Sequence, residues 1–368
     1  MANIKRYLLS TAFIFTAAAL YAQSGGSVAV PFLKMDMGAR YYGMAGAGTA
    51  FADDVTGMTF YNPAALGAVQ SFQVSGTTYK NALDMKHTYA GAAFPIPFLS
   101  FTKNKPVSFG FSFFMFDKGV IMENSVERTI GDDFAFAVSL GENVATHTWD
   151  LFGDTAEANH YVGATAKYIR STLPLPGSGE VMGTAYAFDA GYRMTLDNRF
   201  GIGIAVRNLG TKIKYVNESN PLPTTLSAGV FLALMDTQMV RWDVSSDYIH
   251  HLSEKANRIR FGTEMVFFNT LAVRGGIKFM EDIRDEYTLG FGLRLLGFEV
   301  DFGTVLNPSL NSDIVYQAGI SYKFPVRKEE DRYNENRRKR AEYQEYKEER
   351  ERVSQESAQR NTSPILYQ

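Results

Sequence analysis

The chain of 368 residues contains no cysteine. That excludes disulfide staples, thiolate metal sites, a cysteine nucleophile and a lipid anchor attached through sulfur. Histidine is scarce as well: His87, His147, His160, His250 and His251 are the whole set. His250 and His251 are adjacent, so on a strand they point to opposite faces and do not share a metal easily; the sequence places them in an outer loop. Neither an HExxH zinc motif nor a GxSxG nucleophile elbow occurs. The expectation is a protein that is not an enzyme and carries no cofactor and no metal. Formal net charge is only −2, so nothing draws the chain toward nucleic acid. Past the first residues, no apolar run reaches the roughly eighteen that a spanning helix needs.

What is present begins with an export signal. Lys5 and Arg6 give a positive start, Tyr7 to Leu20 an apolar segment, and Ala22 a small residue before Gln23. This order is that of a secretory signal peptide over residues 1–22. The remainder is rich in aromatics, with 28 Phe and 20 Tyr in a chain that is 45% hydrophobic. An exported chain with many aromatics and no apolar helix fits a transmembrane β-barrel, whose strands are apolar on one face only. A secreted soluble β-protein is the rival.

The strands show a period of two. In EYTLGFGLRLLG, Tyr287, Leu289, Phe291, Leu293 and Leu295 face one way while Thr288, Gly290, Gly292 and Arg294 face the other. Nearby stretches set Phe298, Val300 and Phe302 against Glu299 and Asp301, and Ile259, Phe261, Met265 and Phe267 against Arg258, Arg260 and Glu264. Another sets Trp242 and Val244 against Arg241, Asp243 and Asp247. The large, uniform apolar face favours lipid over a sandwich core, which would vary its side-chain sizes to interlock.

Strands are expected at 71–80, 88–96, 107–116, 131–140, 159–170, 184–195, 200–207, 225–234, 238–248, 258–268, 271–279, 287–295, 297–304 and 313–324, fourteen in all. In the second half, tight joins (TLDN, MDT, FN, LLG) alternate with longer ones, as periplasmic turns alternate with outer loops in a barrel. The segment 141–158 is too long for a periplasmic turn, so a strand is misplaced there. Tyr161, Tyr168, Tyr192, Tyr248, Tyr287, Tyr316 and Tyr322 lie near strand ends, where membrane-interface aromatics belong.

The glycine-dotted run MAGAGTAFADDVTGMTFYNPAAL, residues 44–66, precedes the first strand. It is not a nucleotide loop: Phe51 stands where a dinucleotide fingerprint needs its third glycine, and no GK[ST] follows. Asp53 and Asp54 can cap a helix or turn, Asn62-Pro63 fixes a reversal, and the small residues permit close backbone packing. With Gly43, Gly46 and Gly48 these residues are candidates for a plug folded into the lumen.

MGAR (37–40), GMAGAGTAFADD (43–54) and YNPAAL (61–66) together resemble the N-terminal region of the PorV/PorQ outer-membrane proteins of Bacteroidota-type bacteria, within the wider FadL-like class of fatty-acid channels. Ala65 replaces the glycine of that family's usual NPAGL. The resemblance implies a fourteen-stranded barrel over 68–326 and a lumenal hatch within 23–67, chiefly 31–67. It also implies an outer-membrane address, and a role as accessory or adaptor of an outer-membrane secretion or assembly machine, of the type 9 or barrel-assembly kind. The expected partners are outer-membrane lipid and a larger barrel or periplasmic subunits. The alternative is a FadL-like channel for hydrophobic small molecules such as fatty acids.

The inward charges Arg241, Asp243, Asp247, Arg258, Arg260, Glu264, Arg274, Lys278, Arg294, Glu299 and Asp301 predict a strongly charged, mutually paired lumen that braces the barrel, with room for a greasy pocket only near the less charged first strands. Residues 327–368 are a charged tail with 11 Lys+Arg and 10 Asp+Glu, expected to lie in the periplasm and to be helical over 328–356. Tyr333, Arg337, Arg338, Arg340, Tyr343 and Tyr346 are its candidate partner contacts. The expected fold is thus all-β: a fourteen-stranded antiparallel transmembrane barrel, an N-terminal hatch in its lumen and a charged C-terminal helical extension.

Overall fold

In a computed structural model the described residues are 28–80, 85–123, 126–151, 154–174, 179–281, 285–306 and 315–325. The signal segment and the charged tail, with its six candidate contacts, lie outside them.

Alternation builds a closed barrel. Its fourteen strands are β1 (Gln73–Lys80), β2 (Lys86–Pro95), β3 (Ser108–Asp117), β6 (Asp132–Leu151), β7 (Asp154–Pro174), β8 (Glu180–Leu196), β9 (Phe200–Gly210), β12 (Thr225–Asp236), β13 (Val240–His251), β14 (Ala256–Phe267), β15 (Leu271–Met280), β16 (Glu286–Leu295), β17 (Phe298–Val305) and β18 (Val315–Lys323). Each pairs antiparallel with the next, and β1 closes the ring on β18, with Gln73 opposite Lys323. Closure leaves no lipid-facing edge, which is what a bilayer demands of a sheet. On β16, Thr288, Gly290 and Gly292 are buried while Tyr287, Phe291, Leu293 and Leu295 are exposed. Phe261, Val300, Phe302 and Ile320 extend this exposed apolar wall.

The expected strands are all present, with one correction of extent. Residues 141–158 are not a misplaced turn: β6 and β7 run on through them as one long hairpin, pairing from Asp133 with Ser171 to Leu151 with Asp154. β3 leaves β6 at Gly141, and β8 leaves β7 at Ala158, so the hairpin tip projects past the rim at the end of the tight turns. At the opposite end two small hairpins stand in the longer loops, β4 (Val120–Glu123) with β5 (Val126–Thr129) and β10 (Ile213–Tyr215) with β11 (Glu218–Asn220). Two local expectations also change. Tyr161 is buried on the lumenal face. His250 and His251 end β13 rather than lying in a loop, with His250 Nδ1 against Asn257 and His251 Nδ1 against Thr225.

Residues 28–72 fill the lumen. The chain enters near the loop end, where the Ala29 N–H donates to the Pro221 carbonyl. It then passes through a turn at Pro31–Lys34, one turn of α-helix at Ala39–Tyr42 and a wide helical turn at Gly57–Tyr61. A 3-10 segment at Pro63–Ala68 leads it into β1. Nearly every residue from Asp36 to Leu66 is buried. This segment is the hatch.

Candidate functional site

The hatch is seated on the wall through glycines paired across strands. Gly141, Gly163 and Gly191 are register partners on β6, β7 and β8. Gly203 pairs with Gly229, Gly262 with Gly276, and Gly290 with Gly303. A Cβ on Gly141 would stand 2.6 Å from Leu66 Cβ and 2.8 Å from the Pro63 carbonyl; on Gly262, 2.6 Å from the Met44 carbonyl; on Gly276, 2.7 Å from the Ala45 nitrogen; on Gly290, 3.0 Å from Gly43 Cα. Each is too close for any side chain. The hatch therefore touches the wall backbone to backbone, its residues 66 to 39 running against strands β6 to β17 in turn. From the hatch side Gly43 supplies the same closeness to Gly290, Gly46 with φ +74° leaves room for the Arg260 and Asp36 side chains, and Gly48 lies against the hatch rings of Tyr61 and Tyr41.

Polar groups then fix the register. Asn62 is fully buried. Its Oδ1 accepts from the Ala64 N–H (3.1 Å), which caps the 3-10 turn, while its Nδ2 donates to the Thr49 carbonyl (2.9 Å) and the Tyr192 carbonyl of β8 (3.1 Å). Pro63 follows at the first position of that turn. Asp54 Oδ1 accepts from the Gly57 N–H at 2.8 Å, so it caps as expected. Asp53 pairs with Arg40 instead.

Arg40 joins hatch to wall. Its Nε and Nη2 donate to the two carboxylate oxygens of Glu264 at 2.9 and 2.7 Å, a bidentate fork. Glu264 also accepts from Arg274 Nε (2.5 Å) and Arg294 Nη2 (3.3 Å). Arg274 reaches on to Asp301 (2.5 Å) and Glu299 (3.0 Å), and Arg294 Nε to Glu299 (2.8 Å). A second clamp holds Asp36 of the hatch between Arg260 (2.6 Å) and Lys278 (2.8 Å), and Arg260 also donates to the Gly46 carbonyl (3.0 Å). Burial raises the Asp36 pKa, but Arg260 and Lys278 outweigh it and hold the carboxyl well below the usual carboxylate range.

The predicted charge network is thus brought together in part. Glu264, Arg274, Arg294, Glu299 and Asp301 form one cluster around Arg40, and Arg260 the other. Asp247 is a correction: its carboxylate makes no ion pair among the described residues and instead accepts the Gly48 and Thr49 N–H groups at 2.9 and 2.8 Å. Arg241 pairs locally with Asp243 (2.8 Å), and Arg258 joins no ion pair among the described residues. The network clamps the hatch more than it braces the wall, which required seeing the hatch inside.

Arg40 and Asp36 were missed, and so were two wall arginines that hold the hatch. Arg193 donates to the Ala50 carbonyl (2.9 Å), and Arg207 to the Phe60 carbonyl (3.2 Å) while lying 5.1 Å over the Phe60 ring. Strand parity carried the signal, since both share the inward face with Asp189 and Ala205.

On the β2 to β8 side the hatch packs through apolar side chains, beside a buried Lys167–Asp189 pair (2.6 Å) on the wall. Phe32, Leu33, Phe60 and Tyr61 of the hatch pack with Tyr89, Phe114, Ala135, Ala137, Ile169, Ala185 and Ala187 of β2, β3, β6, β7 and β8. At the loop end this packing opens into a cavity of about 770 Å³, walled by Val30 and Pro31 of the hatch, Phe116, Leu173, Val181 and Tyr215. It lies beside β3, β7 and β8, whereas the sequence left room for a pocket near the less charged first strands.

No protein family of known sequence signature matches the chain, and no curated protein matches it in sequence. Solved structures do. The CymD monoaromatic hydrocarbon channel is similar over 81% of this chain and 99% of its own, at 13% identity and a TM-score of 0.51. The Ralstonia pickettii toluene transporter TbuX is similar over 79% of this chain and 98% of its own, at 13% identity and a TM-score of 0.47. A Pseudomonas aeruginosa FadL homologue is similar over 83% of this chain and all 100% of its own, at 12% identity and a TM-score of 0.48. The likeness to the CymD channel is one of fold. None of these comparisons extends to the PorV/PorQ family, type 9 secretion or barrel assembly.

Proposed function

We propose that this protein is an outer-membrane channel for small hydrophobic molecules in a Gram-negative cell. The apolar vestibule at the loop end carries this reading. Its volume of about 770 Å³ is that of a small-molecule site, and its floor merges with the apolar packing between the hatch and β2 to β8. A molecule of low polarity gains by leaving water there, whereas the clamped hatch closes the remaining lumen to ions and water. The shared fold with a monoaromatic hydrocarbon channel supports the same reading. The test is saturable binding of radiolabelled toluene and of oleate to the purified barrel in detergent. Saturation by either supports the channel; saturation by neither sinks it.

A second reading, an accessory subunit of a secretion or assembly machine, has one observation behind it. Beyond Gly141, β6 continues to Leu151 with only β7 as a ladder partner among the described residues. Past Asn143, whose carbonyl the Asn104 side chain takes (3.1 Å), this edge is a place for a partner strand to add. Stoichiometric copurification of a larger barrel or of periplasmic subunits from the native membrane would support it, and their absence would remove it. Bacteroidota origin and a periplasmic position for the tail belong to this second reading.

A further inference from the structure

Beneath the vestibule lies a polar group that neither the hatch nor the clamps use. His87 is on β2, two residues from Met85 and directly opposite Phe116 of β3, and both of those residues line the cavity. Its ring is 1% exposed. It stands edge-on to Phe32 with centroids 6.0 Å apart and to Phe116 at 5.5 Å, while those two phenyl rings stack at 6.4 Å. Neither Nδ1 nor Nε2 has a hydrogen-bond partner among the described residues. Burying an imidazole with both nitrogens unanswered is costly, and phenylalanine would fill the place without that cost. Phe32 and Phe116 are the rings packed against it, and Phe116 lines the cavity. Phe32 belongs to the short Pro31–Lys34 turn, so its ring can turn aside without moving a strand.

The charges around the cavity narrow what enters. Lys118 is on its wall, but its ammonium is taken by Asp133 (2.6 Å) and the Thr172 carbonyl (2.8 Å). With Glu218 also lining the site, one lysine and two acids sum to −1. A carboxylate therefore meets no unpaired cation among the described lining residues. A hydroxyl asks for something else: it donates one hydrogen bond and accepts others, and a neutral imidazole accepts at one nitrogen and donates at the other.

We propose that His87 sets the specificity of the vestibule, and that the ligand is a neutral apolar molecule carrying one hydroxyl, of the phenol or alcohol class, whose oxygen hydrogen-bonds the imidazole when Phe32 swings away. The proposal rests on the channel reading. Its test compares the binding of toluene, of p-cresol (toluene with one added hydroxyl) and of octanoate to the full-length protein in detergent by calorimetry. The wild type should bind p-cresol about tenfold tighter than toluene, a difference of about 1.4 kcal/mol, and octanoate weakest. His87→Phe should bind p-cresol and toluene equally and raise the unfolding temperature, because an unpartnered polar ring is removed. Phe32→Ala, which uncovers the histidine, should tighten p-cresol binding. A wild type without preference for p-cresol, a preference that survives His87→Phe, or a Phe32→Ala variant with unchanged p-cresol affinity would each overturn the assignment while toluene binding leaves the channel reading standing. If no ligand saturates, the channel reading itself fails and takes this proposal with it.

Discussion

Adjacent glycines on β15 offer a controlled perturbation of the hatch. Gly276 faces the lumen, where an added Cβ would stand 2.7 Å from both the Ala45 nitrogen and the Met44 carbonyl carbon. Those are backbone atoms held by neighbours: Ala45 N donates to Thr288 Oγ1 at 3.0 Å, and Gly43 O accepts from the same hydroxyl at 3.0 Å. They cannot swing away as a side-chain tip can. An ordinary carbon contact needs about 3.5 Å or more, so Gly276→Ala must push the hatch by roughly 0.8 Å or bend the wall. Overpacking of this kind costs about 1–3 kcal/mol. Gly275, one residue away, faces outward, and its added Cβ finds nothing nearer than the Thr288 carbonyl at 3.9 Å. Gly275→Ala should be neutral, or stabilising by about 0.4–1 kcal/mol through a less flexible unfolded chain. The two variants should therefore differ by about 2 kcal/mol, roughly thirtyfold in the folding equilibrium. Urea unfolding of barrels refolded into lipid vesicles reads the stability, and current through single molecules in planar bilayers reads hatch displacement. Gly276→Ala should unfold at lower urea and pass ions intermittently. Identical midpoints and closed records for both variants would refute backbone-to-backbone seating.

Removing the Arg40 guanidinium should be more severe. Arg40→Met leaves Arg274 and Arg294 to face Glu264, Glu299 and Asp301, so two cations stand against three carboxylates in a buried site. Breaking a buried pair on one side costs about 3–5 kcal/mol; a urea midpoint equal to wild type would show that the fork holds nothing. The Asp36 clamp has a pH signature. Because its folded pKa is lowered, its contribution is fully present above the unfolded carboxylate value of about 4 and is lost as pH falls through the lower folded value. Protease protection of the hatch should hold from neutral pH down to about 4 and weaken only below it; weakening between pH 6 and 5 would contradict the assignment.

Much of the architecture was legible because a barrel strand writes itself locally. Inward and outward side chains alternate, and the alternation at residues 286–295 or 298–305 needs no knowledge of the partner strand. Asn62-Pro63 and the small residues around Gly43 to Gly48 announced close packing and a reversal for the same reason. The length of the β6–β7 hairpin was less legible, since NVATHTW, residues 143–149, alternates weakly and its ladder has a partner on one side only. The charged residues were visible as a set but not as pairs. Asp247 reads like its neighbours in sequence, and only the hatch backbone lying against it makes it a cap for Gly48 and Thr49.

By itself the sequence determined the class of fold, the number of strands, which face of each meets lipid, and that the glycine-rich leader packs in a confined place. These depend on residue type and on spacing along the chain. The tertiary structure alone decided that paired glycines on nine strands seat the hatch, that Arg40 and Asp36 are its two ionic clamps, and that an apolar vestibule remains on one side with His87 beneath it. Each of these joins residues that are far apart in sequence, and their distances are fixed only when the sheet closes around the chain that precedes it.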